Sequence, residues 1–116
     1  MIISHKSKVE KSLHIDSNVK NKSVRVLISP KEGWEGYVMR IWELGKDGHS
    51  AKHLHDWPHI VYVLEGKGKL NMDGIDYDLE PGSYAFIPAN VLHQFINKNE
   101  EPLEFICIVP EEGHEH

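Results

Sequence analysis

Cysteine is nearly absent from this 116-residue chain, and its scarcity limits how the fold can be held together. The one cysteine, Cys107, has no second thiol within the chain, so an internal disulfide framework is excluded. The length permits one hydrophobic core, and we expect residues 1–116 to form a single domain.

Long apolar runs and an excess of basic charge are also missing. No apolar run approaches the roughly 20 residues that a membrane-spanning helix needs. The net charge is −5, from 13 basic and 18 acidic residues, so nothing favours nucleic acid or an anionic membrane as a partner. The N-terminus turns polar after three apolar residues, unlike a signal peptide. We therefore expect a soluble cytoplasmic protein without nucleic-acid or membrane partners.

A sustained helical period is absent, and short β-branched or aromatic runs recur about every ten residues between Gly and Pro turns. This pattern predicts an all-β sandwich or barrel. The predicted strands lie at 23–28, 37–44, 59–64, 68–72, 75–79, 84–87, 92–97 and 103–109. Residues 45–48 are predicted to form a turn, and Asp73-Gly74 a two-residue hairpin loop. A polar arm at 1–23 and a flexible tail at 111–116 flank the predicted core.

Histidine is abundant by contrast, with nine in the chain. His53 and His55 lie two residues apart, so on an extended segment both rings point to one face. His59 follows a corner at Pro58 and can turn back toward them. Neutral imidazole is the commonest side-chain metal ligand, and buried histidines without a shared partner would be costly to desolvate. This spacing favours a metal site.

The remaining histidines lack such spacing. We interpret three of them as surface residues, namely His5, His14 and His49. His114 and His116 belong to the polar tail and could bind metal only weakly.

Two segments resemble the paired motifs of the cupin superfamily. In the first, His53-x-His55 is followed after three residues by His59, which occupies the position usual for glutamate, and after six more by Gly66. In the second, Gly82 precedes Pro88 by five residues, Asn90 stands where glycine is usual, and His93 is followed after three residues by Asn97. Asn90 is expected to adopt the left-handed conformation that glycine would supply.

The resemblance implies a double-stranded β-helix, the cupin jelly-roll barrel, with little or no helix and a core of about residues 24–110. It also implies one divalent transition metal per chain, held by His53, His55, His59 and His93. The metal could be Fe, Mn, Ni, Cu or Zn, and the sequence does not choose among them. Asp56 could be considered as a substitute carboxylate, but it directly follows His55 and should point away from the ligand face.

Histidine in place of glutamate changes the charge of the implied site. Four neutral imidazoles leave a divalent metal at +2, whereas three imidazoles and a carboxylate would leave it at +1. The higher charge favours the lower oxidation state of a redox metal and strengthens its attraction for an anionic ligand. Four protein ligands leave about two positions open on a six-coordinate ion.

Strand alternation predicts the walls of the pocket. Arg40 is not expected to be buried without a partner, so we place it outward and its neighbours inward. No inward lysine, arginine or acid is then predicted, which counts against the phosphosugar isomerase and epimerase branches of the superfamily. Cys107 is interpreted either as a small buried apolar residue or as a pocket thiol near the metal. The predicted pocket residues are Met39, Ile41, Val61, Val63, Phe95, Phe105 and Cys107.

An open metal centre in an apolar pocket favours an oxidoreductase of dioxygenase type, acting on a small apolar or aromatic substrate that binds through oxygen. No catalytic residue beyond the metal ligands is predicted. Two alternatives stay open. One is a non-catalytic module that binds metal or a small ligand. The other is a metal-assisted isomerase or decarboxylase, which would need an acid or base that a one-residue error in strand register has hidden.

The strands at 59–64 and 103–109 are apolar on both faces, and a barrel interior covers only one of them. We therefore expect a homodimer, with the N-terminal arm a candidate to extend across the partner.

Overall fold

Nine β-strands, all paired antiparallel, carry most of the chain in the computed structural model, which describes residues 1–114. The strands are β1 (Ser12–Leu13), β2 (Lys20–Ile28), β3 (Tyr37–His49), β4 (His59–Glu65), β5 (Gly68–Met72), β6 (Ile75–Leu79), β7 (Tyr84–Ile87), β8 (His93–Ile96) and β9 (Leu103–Pro110). Short 3-10 turns lie at Lys6–Lys8 and Pro30–Glu32, and the helix α1 spans Glu111–His114. The predicted all-β class is confirmed.

The strands form one curled sheet in the order β6-β5-β8-β3-β9-β4-β7, with β2 on the other edge of β3 and β1 beyond it. The long strand β3 holds the two halves together. Its first part pairs with β9 from Tyr37 to Leu44, and its last residue, His49, pairs with Ile96 of β8. The strand therefore runs through residues 45–48, where the sequence predicts a turn.

Strand alternation places one set of side chains in a common interior. On β4, His59, Val61 and Val63 point inward while Ile60 and Tyr62 face outward. The buried apolar residues of β3 through β9 form one cluster, whose members are Val38, Trp42, Leu44, Val61, Val63, Leu70, Leu79, Ile87, Phe95, Leu103, Phe105, Cys107 and Val109.

Tight turns take the residues that tolerate a positive φ angle. Asp73 and Gly74 have φ of 52° and 88°, as a two-residue type I′ hairpin loop requires. Asn90 has φ of 64°, the left-handed conformation expected of it. The first of these turns joins β5 to β6, and Asn90 precedes β8, which begins with His93.

The two ends of the chain pack on the barrel. β2 begins at Lys20, four residues before the predicted core, and the preceding arm contacts its own barrel through Lys6 on Glu104 and Lys11 on Glu43. Residues 111–114, predicted to belong to a flexible tail, form α1; residues 115–116 lie outside the described residues. No helix within 1–114 is long and apolar enough to cross a membrane.

Candidate metal centre

Backbone pairing brings distant histidines together. His53 lies in the segment between β3 and β4, and its backbone exchanges two hydrogen bonds with that of His93, with N–O distances of 3.1 and 3.0 Å. Their side chains therefore lie on adjacent segments, with ring centroids 5.0 Å apart. His59 opens β4 and is buried, and its ring centroid lies 5.1 Å from that of His93.

The ring nitrogens converge as metal ligands do. One ligand atom from each of His53, His55 and His93 lies within 4.8 Å of the others, so these three residues could hold a metal ion. His59 lies beside this group: its ring stacks on that of His55 with centroids 4.4 Å apart, and its Nε2 lies 3.0 Å from His55 Nε2 and 3.4 Å from His55 Nδ1. The donor set therefore suits a transition metal.

The neutral form of these imidazoles, which is the ligand form, is favoured by their surroundings. Burial lowers the pKa of His53 to about 4, and neighbouring His93 and His55 add to the shift. Burial likewise lowers the pKa of His59 to about 3 and also lowers the pKa of His93. His93 Nδ1 lies 2.9 Å from the Val91 carbonyl, to which it must donate, and this leaves Nε2 free for a metal.

Two cations face the histidines across the cavity. Lys22 and Arg40 are buried at 8% and 5% exposure and line the same space as the four imidazoles. The empty space, including the mouth, is about 440 Å³. No carboxylate is found among the lining residues in the described part of the chain, which are Lys22, Arg40, Trp42, Ser50, His53, His55, His59, His93, Phe95, Phe105, Cys107 and Gly113.

The predicted orientation of Arg40 is wrong, and the reason lies in strand pairing. Arg40 of β3 sits directly opposite Cys107 of β9, so both side chains point into the barrel. Met39 and Ile41 consequently take the other face and do not line the cavity. A lysine and an arginine do point inward, contrary to the expectation of a pocket without them.

Arg40 is held without an acidic partner. Its Nη2 lies 3.9 Å from Cys107 Sγ, and its guanidinium carbon lies 5.0 Å from the centre of the Trp42 ring. Its Nε is buried and has no hydrogen-bond partner. Within residues 1–114, no salt bridge joins Arg40 to a carboxylate.

The remaining predicted wall residues divide into two groups. Phe95, Phe105 and Cys107 line the cavity, and the two phenyl rings stack with centroids 4.3 Å apart. Cys107 is buried, its Sγ lies 3.5 Å from His59 Nδ1, and burial raises the pKa of the thiol. Val61 and Val63 are buried in the core cluster but do not line the cavity.

Sequence reasoning missed several lining residues, and only some had a signal. Lys22 directly precedes the predicted first strand, and its spacing of two and four residues from Val24 and Val26, which pack on the core, could have marked it as inward. Trp42 lies on the same face of β3 as Arg40, so the wrong orientation predicted for Arg40 also placed Trp42 outside the cavity. Gly113 contacts the cavity because α1 packs on Trp57, whose ring stacks on His55 at 4.4 Å. Asp56 is exposed and outside the cavity, as expected.

A family model described as a cupin domain matches residues 40–109, more than half of the chain. The chain belongs to the cupin family. This cupin superimposes with a TM-score of 0.90 on the polyketide cyclase RemF from Streptomyces resistomycificus, at 27% identity, covering 96% of this chain and 80% of that one. It also matches a cupin-2 domain structure from Rhodospirillum rubrum with a TM-score of 0.83 at 24% identity, covering 94% of this chain and 74% of that one.

Sequence relatives of this cupin carry the names of sugar-phosphate enzymes. A 1-methylthio-D-xylulose 5-phosphate methylsulfurylase from Rhodospirillum rubrum is 32% identical over 71 residues, which is 61% of this chain and 46% of that protein. A glucose-6-phosphate isomerase from Thermococcus onnurineus is 29% identical over 84 residues, which is 64% of this chain and 44% of that protein. The chain thus spans about half the length of the curated relatives it matches.

Proposed function

We propose that this cupin is a metal-dependent enzyme that isomerises or decarboxylates a small anionic substrate at the carbon next to a carbonyl group. The observation that carries the proposal is the lining of the cavity, in which four imidazoles face the buried cations Lys22 and Arg40, and no lining residue in the described part of the chain is a carboxylate. An apolar pocket for a neutral substrate would not need either cation.

The metal would be one divalent transition ion held by His53, His55, His59 and His93. The place of the buried His59 in the same cavity lining, against the His55 ring, supports it as the fourth ligand, and the ion would be Fe, Mn, Ni, Cu or Zn. When bound, the ion would act as a Lewis acid that polarises a carbonyl or carboxylate oxygen of the substrate. Since the four imidazoles are neutral, the attraction for an anion is not reduced by the ligands.

Arg40 would bind and orient the anionic group of the substrate. A buried guanidinium is costly to desolvate unless an anion pairs with it. Arg40 has no such partner in the described chain, and its Nε still lacks a hydrogen-bond acceptor. A carboxylate or phosphate oxygen in the cavity would accept from the guanidinium and balance its charge.

The aromatic wall would limit the size of the substrate and exclude water. The stacked pair Phe95 and Phe105 forms one side of the cavity, and Trp42 packs under both cations. With four imidazoles and three aromatic rings in its lining, the cavity would leave room beside a metal for only a small substrate. The relatives named as sugar-phosphate enzymes share with the proposal a substrate that is an anion.

A dioxygenase reaction is the second candidate. The observation that favours it is the donor set, because four neutral imidazoles stabilise the lower oxidation state of iron, manganese or copper. The phenyl rings of Phe95 and Phe105 would suit an aromatic part of such a substrate. The two candidates differ in one requirement, since only the dioxygenase consumes oxygen.

The test begins with metal analysis of untagged protein, followed by loading with each of the five metals. Pyruvate, oxaloacetate, oxalate and glucose 6-phosphate would be incubated anaerobically in D₂O and followed by NMR and by release of CO₂. We expect carbon-bound hydrogen exchange, isomerisation or CO₂ release that chelation abolishes.

Three results would contradict the proposed isomerase or decarboxylase activity. Turnover of catechols or enols only with oxygen uptake would establish the dioxygenase instead. A protein that binds its metal tightly but neither converts these anions nor shows heat of binding with them would be a non-catalytic module. A protein that binds none of the five metals would remove the basis of both enzymatic candidates.

A further inference from the structure

The pairing of β2 with β3 points Lys22 into the cavity. Lys22 lies opposite the buried Leu44, and Val26 on the same face of β2 lies opposite Arg40. The pairing is irregular just before Lys22, where residues 45–48 of β3 lie opposite the single Asn21. Lys22 is only 8% exposed, whereas Lys20 on the other side of this irregularity is exposed.

The surroundings of Lys22 disfavour its charged form. Its Nζ lies 4.0 Å from the centre of the Trp42 ring, and no carboxylate forms a salt bridge with it within residues 1–114. Burial, followed by the charge of Arg40, lowers the pKa of Lys22 to about 8. A lysine with such a value presents an appreciable fraction of neutral amine near pH 7, as an acid–base catalyst requires.

Charged and titratable groups surround Lys22 from each neighbouring segment. They are Arg40 from β3, Cys107 from β9, His14 and Asp16 from the segment before β2, His53 from the segment after β3, and His93 from β8.

The other ionisable groups that line the cavity have different roles. The four histidines face one another as metal ligands, and a guanidinium such as that of Arg40 does not give up its proton under ordinary conditions. Cys107 is buried against His59 and Arg40, and burial keeps its thiol protonated. Among the described lining residues, Lys22 is left as the group able to exchange a proton.

We propose that Lys22 is the general acid–base of the reaction assigned to this cavity. As a free amine it takes a proton from the carbon beside the substrate carbonyl, and the C–H electron pair moves to the carbonyl oxygen. Where the first carbon carries a hydroxyl group, the ammonium returns that proton to the former carbonyl carbon, the hydroxyl proton moves to the former carbonyl oxygen, and the carbonyl group then lies on the first carbon. In a decarboxylation the C–C bond to CO₂ breaks instead, and the ammonium gives its proton to the carbon that CO₂ leaves. The inference rests on the proposed function.

The ionisation of Lys22 can be measured without substrate. Lysines of the metal-free protein are dimethylated with ¹³C-formaldehyde under reducing conditions, and their NMR signals are followed from pH 6 to 11. Lys22→Met identifies the signal of Lys22 by its loss. We expect that signal to titrate about two units below the signals of exposed lysines such as Lys20. Titration together with the exposed lysines would overturn the proposal.

The catalytic role is tested by the exchange of the C3 protons of pyruvate in D₂O with metal-loaded protein. We expect Lys22→Met and Lys22→Arg to lower the exchange rate by about 100-fold or more, since general acid–base catalysis contributes that much, while metal content stays unchanged. Lys22→Arg keeps the positive charge and controls for anion binding. Lys20→Met, altered at an exposed lysine two residues away, should exchange like the wild type.

The outcomes separate the two proposals. Equal exchange rates for the wild type and both Lys22 variants would exclude Lys22 as the acid–base group but would leave the proposed function intact. Absence of exchange by the wild type with any of the five metals would overturn the proposed function for 2-oxo acids, and the role of Lys22 with it. Loss of exchange in Lys22→Met but full exchange in Lys22→Arg would contradict the acid–base role and would show that only the positive charge of Lys22 is needed.

Discussion

Arg40 shows how a single residue can be unfavourable for folding and useful for binding. Its guanidinium is taken out of water and packed against Trp42 and Cys107 without an acid to balance it. Burial of an unpaired charge destabilises a protein, and the cost is recovered only when an anion arrives. The residue therefore ties the stability of the empty protein to the kind of ligand the cavity accepts.

Replacing Arg40 by methionine should have opposite effects on stability and on binding. We expect Arg40→Met to raise the free energy of unfolding of the metal-free protein by about 1–3 kcal/mol, because a buried charge is removed and the volume is nearly kept. Urea unfolding would measure this. Titration calorimetry of the zinc-loaded protein with pyruvate should show affinity at least about 10-fold weaker, as for losing a charged hydrogen-bond donor.

The matched control for that experiment is Arg25→Met. Arg25 also lies on a strand, but it does not line the cavity, and its Nε donates to the Val9 carbonyl. The variant Arg25→Met should leave pyruvate binding unchanged. A loss of stability in Arg40→Met with unaltered pyruvate binding would contradict the assignment of Arg40 to the anion.

His59 is the residue on which the number of metal ligands depends. Its Nε2 lies 3.0 Å from His55 Nε2, but it is not part of the tighter cluster formed by His53, His55 and His93. We expect His59→Ala to weaken zinc binding by about 100-fold or more. Loss of a residue that only hydrogen-bonds to a metal ligand typically lowers metal affinity by about 10–100-fold, and loss of a ligand itself should lower it further. Competition with a chromogenic chelator measures the affinity. His49→Ala, altered at a half-buried histidine outside the cavity, is the control. Equal affinities for His59→Ala and the wild type would leave a three-histidine site.

The sequence supports prediction of the histidines better than prediction of the cations facing them. The spacing of His53, His55 and His59 is a local pattern, and it does not depend on how strands pair. The orientation of Arg40 depends on which of two strand faces is inward, and the cost of burying a charge favoured the wrong one. Local rules fail most often at functional sites, where an unfavourable placement is retained for its use.

At the scale of elements, turns are predictable where their chemistry is local. Asp73-Gly74 and Asn90 adopt the positive φ angles that their residue types indicate. The passage of β3 through residues 45–48, which lie opposite the single Asn21, was not foreseen, because it is set by pairing with other strands. The inward direction of Lys22 likewise follows from the pairing of β2 with β3, in which Lys22 lies opposite Leu44.

The packing of α1 on Trp57 makes a specific demand on Gly113. A methyl group added at Gly113 would lie 2.5 Å from Trp57 Nε1, closer than real contacts allow. Trp57 in turn stacks on His55, with planes 8° from parallel. The C-terminal turn and the histidine cluster are therefore linked through one indole ring.

We expect Gly113→Ala to destabilise the protein by about 1–3 kcal/mol, as for overpacking of a filled space. Thermal or urea unfolding measures the change. The control is a double-mutant cycle with Trp57→Ala, in which removal of the ring should abolish most of the penalty at Gly113. An equal penalty with and without the indole would mean that Gly113 acts through its backbone and not through Trp57.

At the scale of the whole molecule, the outer face of β4 and β7 is apolar and uncovered within the described chain. Ile60 pairs with Phe86 and Tyr62 with Tyr84, and all four side chains point away from the core. Their exposures are 53%, 62%, 46% and 82%, respectively. Ile106 and Ile108 of β9 continue the surface beside β4. A contiguous apolar face of this kind on an edge of a sheet is typical of a surface that pairs with another protein.

We propose that a second copy of this chain covers that face. Because the described N-terminal arm contacts its own barrel through Lys6 and Lys11, it leaves β4 and β7 open, and a two-fold dimer would bury the same patch on both copies. Light scattering after gel filtration should give about twice the 13.3 kDa of one chain. Phe86→Lys places a charge in the centre of the contact and should yield monomers, whereas Ile75→Lys, on the exposed face of β6 at the other end of the sheet order, should not. A wild-type mass of one chain at micromolar concentration would exclude the dimer, and a dimer that survives Phe86→Lys would place the interface elsewhere.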